Sequence, residues 1–137
     1  MKMEILFEGN KKVSASFNGY TIKTDQPENS GGDGSAPSPF DLFLSSIGTC
    51  AGFYVKSFCD QRNIPAENIK IVQTMDFNNE THLISNINVD IQLPPDFPEK
   101  YRSAVIASAN LCTVKKHLAN PPALEVTSSV NENILVN

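Results

Sequence analysis

The sequence predicts an α+β domain, and three patterns carry that prediction. The first 24 residues alternate apolar and polar side chains with turn residues between them, as antiparallel strands do. Residues 40–58 instead carry apolar side chains at helical spacing. A second alternating hairpin and a second helical region follow, so strands and helices come in blocks rather than in strict βαβ succession.

Taken in order, Met3, Ile5 and Phe7 share one face of a strand that ends at Gly9-Asn10. Val13, Ala15 and Phe17 form the next strand, Asn18-Gly19 predicts a two-residue hairpin turn, and Tyr20, Ile22 and Thr24 complete a three-strand meander. Residues 25–39, DQPENSGGDGSAPSP, are rich in Gly, Pro, Ser and acids and read as an exposed loop of the kind that borders a site. Ser38 is the expected N-cap of a long helix, with Pro39 in its first turn and Asp41 completing the cap at the positive helix end. Phe40, Phe43, Leu44, Ile47, Ala51, Tyr54, Val55 and Phe58 mark its apolar stripe, and it is expected to run to about Arg62.

Ile69, Ile71, Met75 and Phe77, then Leu83, Ile87, Val89, Ile91 and Leu93, predict a second hairpin turned at Asn78-Asn79-Glu80 and ended by Pro94-Pro95. A helix capped by Asp96 extends to about Leu111, and a short third helix spans 112–119 before Asn120-Pro121-Pro122. Leu124, Val126 and Val130 suggest a last strand, continued by Ile134 and Val136. The expected order is βββ-α-ββ-αα-β, in a single domain over residues 1–137.

Composition narrows the function. A chain of 137 residues supports one core but not two. With a net charge of −4 and scattered lysines and arginines, it carries no nucleic-acid footprint. The start MKMEILFEGNKK lacks the apolar core of a signal peptide, and no run approaches the ~20 apolar residues of a membrane span. No membrane association is expected, and the cytoplasm is the expected compartment. Three cysteines, Cys50, Cys59 and Cys112, are too few and too odd for a disulfide scaffold and fit a reducing compartment. Without a CxxC pair, and with two histidines, a metal site is not expected.

The stretch SSIGTCAGFYVKSFC, 45–59, places two glycines where a helix favours Ala and Leu, each at a cost of about 1 kcal/mol. Gly48 and Gly52 lie on one face, which predicts a close approach by another helix of the same chain or of a second copy. Cys50 sits on or beside the apolar stripe. Cys59 is nine residues on, roughly half a turn around the helix, near the polar end, and reads as a bystander. Cys112 opens the third helix with Lys115 and Lys116 nearby, so local sequence makes it the more ionisable thiol, while burial would raise Cys50. Either cysteine could equally be a small buried hydrophobe. His82 and His117 read as surface residues.

SPFDLFLSSIGTCAGFYVKSFCDQRNIP resembles the central-helix signature of the OsmC/Ohr family, the osmotically inducible and organic hydroperoxide resistance proteins. LCTVKKHL resembles the family's second signature. The resemblance implies an intertwined homodimer with two dithiol sites. In each, Cys50 would be the peroxidatic thiol and Cys112 the resolving one, acting on a hydroperoxide without metal or organic cofactor and recycled by an unidentified thiol reductant. Phe40, Asp41, Phe43, Phe53 and Tyr54 are the candidate substrate-binding residues beside them.

The pattern departs from the family's peroxidase branches, which hold the thiolate with an arginine from the N-terminal strands and a glutamate on the central helix. No arginine precedes Arg62, Phe40 stands at the glutamate position with Asp41 one residue along, and Thr113 replaces a frequent proline. Lys12 and Lys23 are the N-terminal cations available as substitutes. The sequence is thus similar to the broader OsmC-like group. Beside the peroxidase reading stand two others, a small-molecule binding module on the same fold and a thiol–disulfide redox protein.

Overall fold

The computed structural model describes residues 1–131. Strands β1 (Glu4–Gly9), β2 (Lys12–Phe17) and β3 (Tyr20–Thr24) form an antiparallel sheet in the order β1-β2-β3. Asn18 and Gly19 both have positive φ, 48° and 79°, as a tight two-residue turn between twisted strands requires. Ile5, Ala15 and Ile22 lie opposite one another, as do Phe7 and Val13, so one face is largely apolar. That face is open: Phe7 is 87 % exposed and Ile5 56 %.

The loop that follows is built on Asp25. Its carboxylate is fully buried and accepts from the N–H groups of Gln26, Asp33 and Ser35 and from the Ser35 hydroxyl at 2.6 Å. The Ser35 hydroxyl and N–H lead the set that lowers its pKa to about 2, so the loop is anchored by an ionised group at neutral pH. Gly32 is required here, because a Cβ would stand 1.9 Å from the Gln26 carbonyl oxygen. Lys12 pairs with Asp33 at 2.6 Å and is thereby committed to this loop.

Helix α1 (Pro39–Asp60) starts as expected. Ser38 caps it, the Asp41 N–H donates to Ser38 Oγ at 3.2 Å, and the Asp41 carboxylate accepts from the Ser38 N–H at 3.0 Å. The helix ends two residues short of Arg62. An 18-residue window within its 22 residues has a mean hydropathy of 1.2, enough by length and composition for a membrane span, where the sequence reading had expected none. The central helix of a domain core meets the same criterion, and α1 is used that way. Val55, Phe58 and Cys59 are buried with Phe97 and Val105, ringed by Ile64, Ile69, Ile71, Ile91 and Tyr101. Cys59, expected near a polar end, is instead 0 % exposed in the middle of this core.

Strands β4 (Lys70–Asn78) and β5 (Leu83–Gln92) form the second hairpin, with Ile71 opposite Ile91, Gln73 opposite Val89 and Met75 opposite Ile87. The Asn78 side chain closes the turn by accepting from the N–H groups of Glu80 and Thr81. The next helix begins later than expected and without Asp96. A 3-10 turn spans Glu99–Tyr101 behind Pro98, and α2 covers Arg102–Ala109. The residue before a proline is steered out of the α region, which delays the helix beyond Pro98. Helix α3 (Thr113–Ala119) follows with Cys112 as its N-cap.

No strand follows α3 among the described residues. Leu124, Val126 and Val130 are 90 %, 92 % and 89 % exposed, because the described part of this chain offers their backbone no ladder to join. Ile134 and Val136 lie outside the described residues.

Within this chain, the close approach at Gly48 and Gly52 comes from strand β4 and not from another helix. A Cβ at Gly48 would lie 2.8 Å from Gln73 Oε1, and one at Gly52 would lie 3.6 Å from Ile71 Cδ1. Gln73 Nε2 donates to the Leu44 carbonyl at 3.0 Å, so the missing side chain at Gly48 lets the Gln73 amide lie on the helix backbone. Gly48→Ala displaces that amide and loses a hydrogen bond of about 1 kcal/mol, against about 1 kcal/mol gained in helix propensity. The single variant is therefore expected to unfold within about 1 kcal/mol of the parent, whereas in a Gln73→Ala background the same change stabilises by about 1 kcal/mol. A denaturant double-mutant cycle with no coupling between the two positions would contradict this contact.

Candidate functional site: two thiols where α1 meets α3

Cys50 lies in the middle of α1, half-buried, and Cys112 lies at the start of α3, buried. Both are free thiols, as is Cys59. The turn from α2 into α3 brings Cys112 beside Cys50, near enough for each thiol to shift the other's acidity. The backbone N–H groups of Val114 and Thr113 lie close enough to Cys50 to favour its ionised form. These are first-turn amides that have no partner within their own helix.

The order of acidity reverses the sequence expectation. Burial pushes the Cys50 thiol up, but the Val114 N–H, the Cys112 thiol and the Thr113 N–H together outweigh it and hold Cys50 below the ordinary cysteine value. Cys112 is pushed up, first by burial and then by the hydrogen bond it makes to Cys50, which favours its protonated form. The Lys115 N–H donates to Cys112 Sγ at 3.4 Å and offsets part of this. Lysine charge does not set the order, since the Lys115 ammonium is hydrogen-bonded to Asn110 Oδ1 instead. Cys59, raised by burial, stands apart in the core.

The other candidate residues fall into separate places. Phe40 and Phe43 stack with ring centroids 5.6 Å apart, over an open apolar groove formed with Leu83, Ile84, Ile87 and Leu118. Phe43 is seven residues before Cys50, about 10 Å along the helix. The Asp41 carboxylate is taken up by the Ser38 cap. Phe53 is exposed and packs edge-on against Tyr54 at 5.3 Å. The Tyr54 hydroxyl lies 3.1 Å from Thr113 Oγ1. On the far side of Cys112 a cavity of about 100 Å³ is lined by Ile47, Ala51, Val89, Ile91 and Ile106.

Three of the cations considered from sequence are engaged elsewhere. Lys12 is paired with Asp33, Arg62 stacks on the Phe58 ring at 3.8 Å, and Arg102 pairs with Glu99 at 3.0 Å. What sequence reading missed is the part played by the Thr113 and Val114 amides. The signal available was that Thr113, unlike a proline, keeps its N–H.

This arrangement can be compared with known proteins. Residues 32–127 match the family model described as OsmC-like protein. The chain belongs to the OsmC-like family. Solved structures agree on the fold. An osmotic-stress-induced and detoxification response protein, so described, from Psychrobacter arcticus is 21 % identical, with a TM-score of 0.70 over 85 % of this chain and 86 % of that one. An OsmC-like protein from Mycoplasma pneumoniae is 12 % identical, with a TM-score of 0.67 over 88 % and 87 %. The organic hydroperoxide resistance protein OhrB of Bacillus subtilis is 13 % identical, with a TM-score of 0.51 over 88 % and 93 %. No curated protein sequence matches significantly.

In this OsmC-like chain, alkylation of the reduced, folded protein by iodoacetamide, followed by peptide mass spectrometry across pH, is expected to label Cys50 at the lowest pH, Cys112 at higher pH, and Cys59 only on unfolding. Labelling of Cys112 at lower pH than Cys50 would contradict the assigned order.

Proposed function

We propose that this OsmC-like protein is a thiol-dependent peroxidase that reduces hydroperoxides in oxidative-stress defence. One observation carries the reading: the fold brings two free thiols, Cys50 in the middle of α1 and Cys112 at the start of α3, side by side, with Cys50 the more readily ionised. The Cys50 thiolate attacks the terminal peroxide oxygen. An S–O bond forms as the O–O bond breaks, and the alkoxide leaves and takes up a proton to become the alcohol. Cys50 is then a sulfenic acid. The Cys112 thiol then attacks Cys50 Sγ, an S–S bond forms as the S–O bond breaks, and the departing hydroxide takes the Cys112 proton and leaves as water. A dithiol reductant returns both cysteines to thiols by exchange.

Phe40 and Phe43, with their apolar groove, suit the organic part of such a substrate, and Phe53 and Tyr54 would border the thiols on the other side. We assign Asp41 to the helix cap rather than to the substrate. The existence of relatives described as organic hydroperoxide resistance proteins supports the same class of substrate. The open faces of the N-terminal sheet, of Phe53 and of the segment around Leu124 support a homodimer. We place the protein in the cytoplasm, where the thiols can be recycled.

On adding cumene hydroperoxide to the reduced protein, two thiols are expected to disappear together, with a Cys50–Cys112 disulfide in the peptide map. Cys50→Ser should lose no thiol rapidly, and Cys112→Ser should stop at a Cys50 sulfenic acid that dimedone traps. Thiols that persist at millimolar peroxide would remove the peroxidase reading in favour of a binding module on this fold. Faster loss of thiols to small disulfides than to peroxide would instead favour a thiol–disulfide protein. Light scattering is expected to give about twice the 15.0 kDa chain mass, and a monomer at micromolar concentration would refute the dimer.

A further inference from the structure

We propose that the cleft between the loop leaving α1 and the loop entering α2 binds a small organic carboxylate, taken up by the guanidinium of Arg62 and the ammonium of Lys100 where both meet the ring of Tyr101. The site is separate from the thiol pair. Asp60, the last residue of α1, is about 15 Å along the helix from Cys50, and the cleft opens beyond it.

The cleft has a volume of about 390 Å³, within the range of small-molecule sites. Arg62, Asn63 and Asn68 line it from the loop after α1, and Asp96 and Lys100 line it from the loop before α2. Pro65, Pro94 and Pro98 also border it, and each fixes its own φ. Turn hydrogen bonds hold the same walls. The Ile64 N–H donates to the Cys59 carbonyl at 3.0 Å, the Phe97 N–H to the Pro94 carbonyl at 3.0 Å, and the Tyr101 N–H to the Pro98 carbonyl at 2.9 Å. Phe97 belongs both to the lining and to the buried core cluster, so the cleft is anchored to the core. Walls fixed in this way reduce the ordering that a ligand has to impose.

The charged groups of the lining are arranged around one ring. The Arg62 guanidinium lies 3.8 Å over the Phe58 ring and 5.5 Å from that of Tyr101, and its Nη1 donates to the Phe58 carbonyl at 3.2 Å. Phe58 and Tyr101 meet edge to face at 5.9 Å, so the two rings and the guanidinium brace one another. Lys100 Nζ is 4.9 Å from the centre of the Tyr101 ring. Among the described residues neither cation has a carboxylate partner, although the chain has a net charge of −4 and pairs Lys12, Lys56 and Arg102 with acids. An exposed cation in water needs no partner. What sets Arg62 apart is that the rings and the Phe58 carbonyl fix its plane while the rest of its fork has no acceptor among the described residues. A carboxylate matches such a fork with two parallel N–H···O bonds. Asp96 is the acid of the lining, which with Arg62 and Lys100 leaves one positive charge and suits a monoanion better than a dianion. Ile64, Phe97 and Tyr101 offer apolar contact to the body of the ligand.

The test is an NMR titration of the isotope-labelled, reduced protein with phenylacetate, beside neutral phenylacetamide and inorganic phosphate. Phenylacetate is expected to give saturable shifts at the side-chain amides of Asn63 and Asn68 and to bind more tightly than either comparison compound. Arg62→Gln is expected to weaken it about tenfold and Lys100→Gln about threefold, and Arg62→Lys, which keeps the charge but not the fork, should not restore parent affinity. Asp96→Asn removes a like charge and should strengthen binding, more for phosphate than for phenylacetate. Lys100→Gln and Asp96→Asn alter exposed side chains and carry the test if the Arg62 variants fail to fold. Shifts that do not saturate by about 20 mM, phenylacetamide or phosphate binding as tightly as phenylacetate, unchanged affinity in Lys100→Gln, or weaker binding in Asp96→Asn would each overturn the assignment. No thiol reaction enters this measurement, so its result is independent of the peroxidase reading.

Discussion

The contact on which everything else depends is the docking of the second half of α1 against α2 and the β4–β5 hairpin. Val55, Phe58 and Cys59 from α1 meet Phe97 and Val105, and this cluster is the buried core of the described chain. Hydrophobic burial of this kind is non-directional, stabilising by about 25 cal/mol per Å² of apolar area removed from water. Its consequence here is directional all the same. Once α2 lies on α1, the short turn at 110–112 leaves Cys112 little freedom, and a residue 62 positions along the chain from Cys50 (112 − 50 = 62) lands on its thiol. The entropy of closing so long a loop grows only slowly with its length, so the core and not the site carries that cost.

Given that placement, a small number of polar contacts differentiates two chemically identical groups. The neighbouring Cys112 thiol favours ionisation of Cys50 while Cys50 raises Cys112; the Thr113 amide adds to this by favouring the Cys50 thiolate, and the Val114 amide favours ionisation of both. The couple therefore has a built-in sense, with an attacking sulfur favoured as thiolate and a partner held protonated. Amide donors are partial charges fixed by the backbone, and they need no long side chain to be ordered around the sulfur. A lysine reaching the same point would lose much of its rotamer freedom, and the Lys12, Lys56 and Lys115 ammoniums each have an oxygen partner of their own.

The same economy of side chains recurs along α1. The absence of a Cβ at Gly48 lets Gln73 lie against the helix backbone, and the one at Gly52 leaves ordinary contact room for Ile71. Both tie the reactive segment of α1 to strand β4, so the helix turn that carries Cys50 is braced by the sheet on one side and by α3 on the other. The N-terminal sheet makes no comparable use of its apolar face, and neither does the segment after α3. Exposed apolar faces of this kind are candidate interaction surfaces.

Local sequence was enough to determine what is local in the physics. The Asn18-Gly19 turn, the alternating hairpins, the Ser38–Asp41 capping box and the start of α3 at Cys112 all rest on interactions within a few residues, and each could be read in the sequence. The family could be read as well, from two motifs whose spacing the fold requires. Tertiary structure decided the rest. Asp96 has the residue type of a cap but stands before Pro98, Leu124 and Val126 have a strand pattern but no ladder within the described residues, and the neighbour of Gly48 is a strand. Above all, the helix-start argument favoured Cys112 as the acidic thiol, whereas the structure favours Cys50. Hydrogen-bond donors set that choice, and the donors to Cys50 come from residues more than 60 positions away, in a helix placed by a core that contains neither of the two thiols.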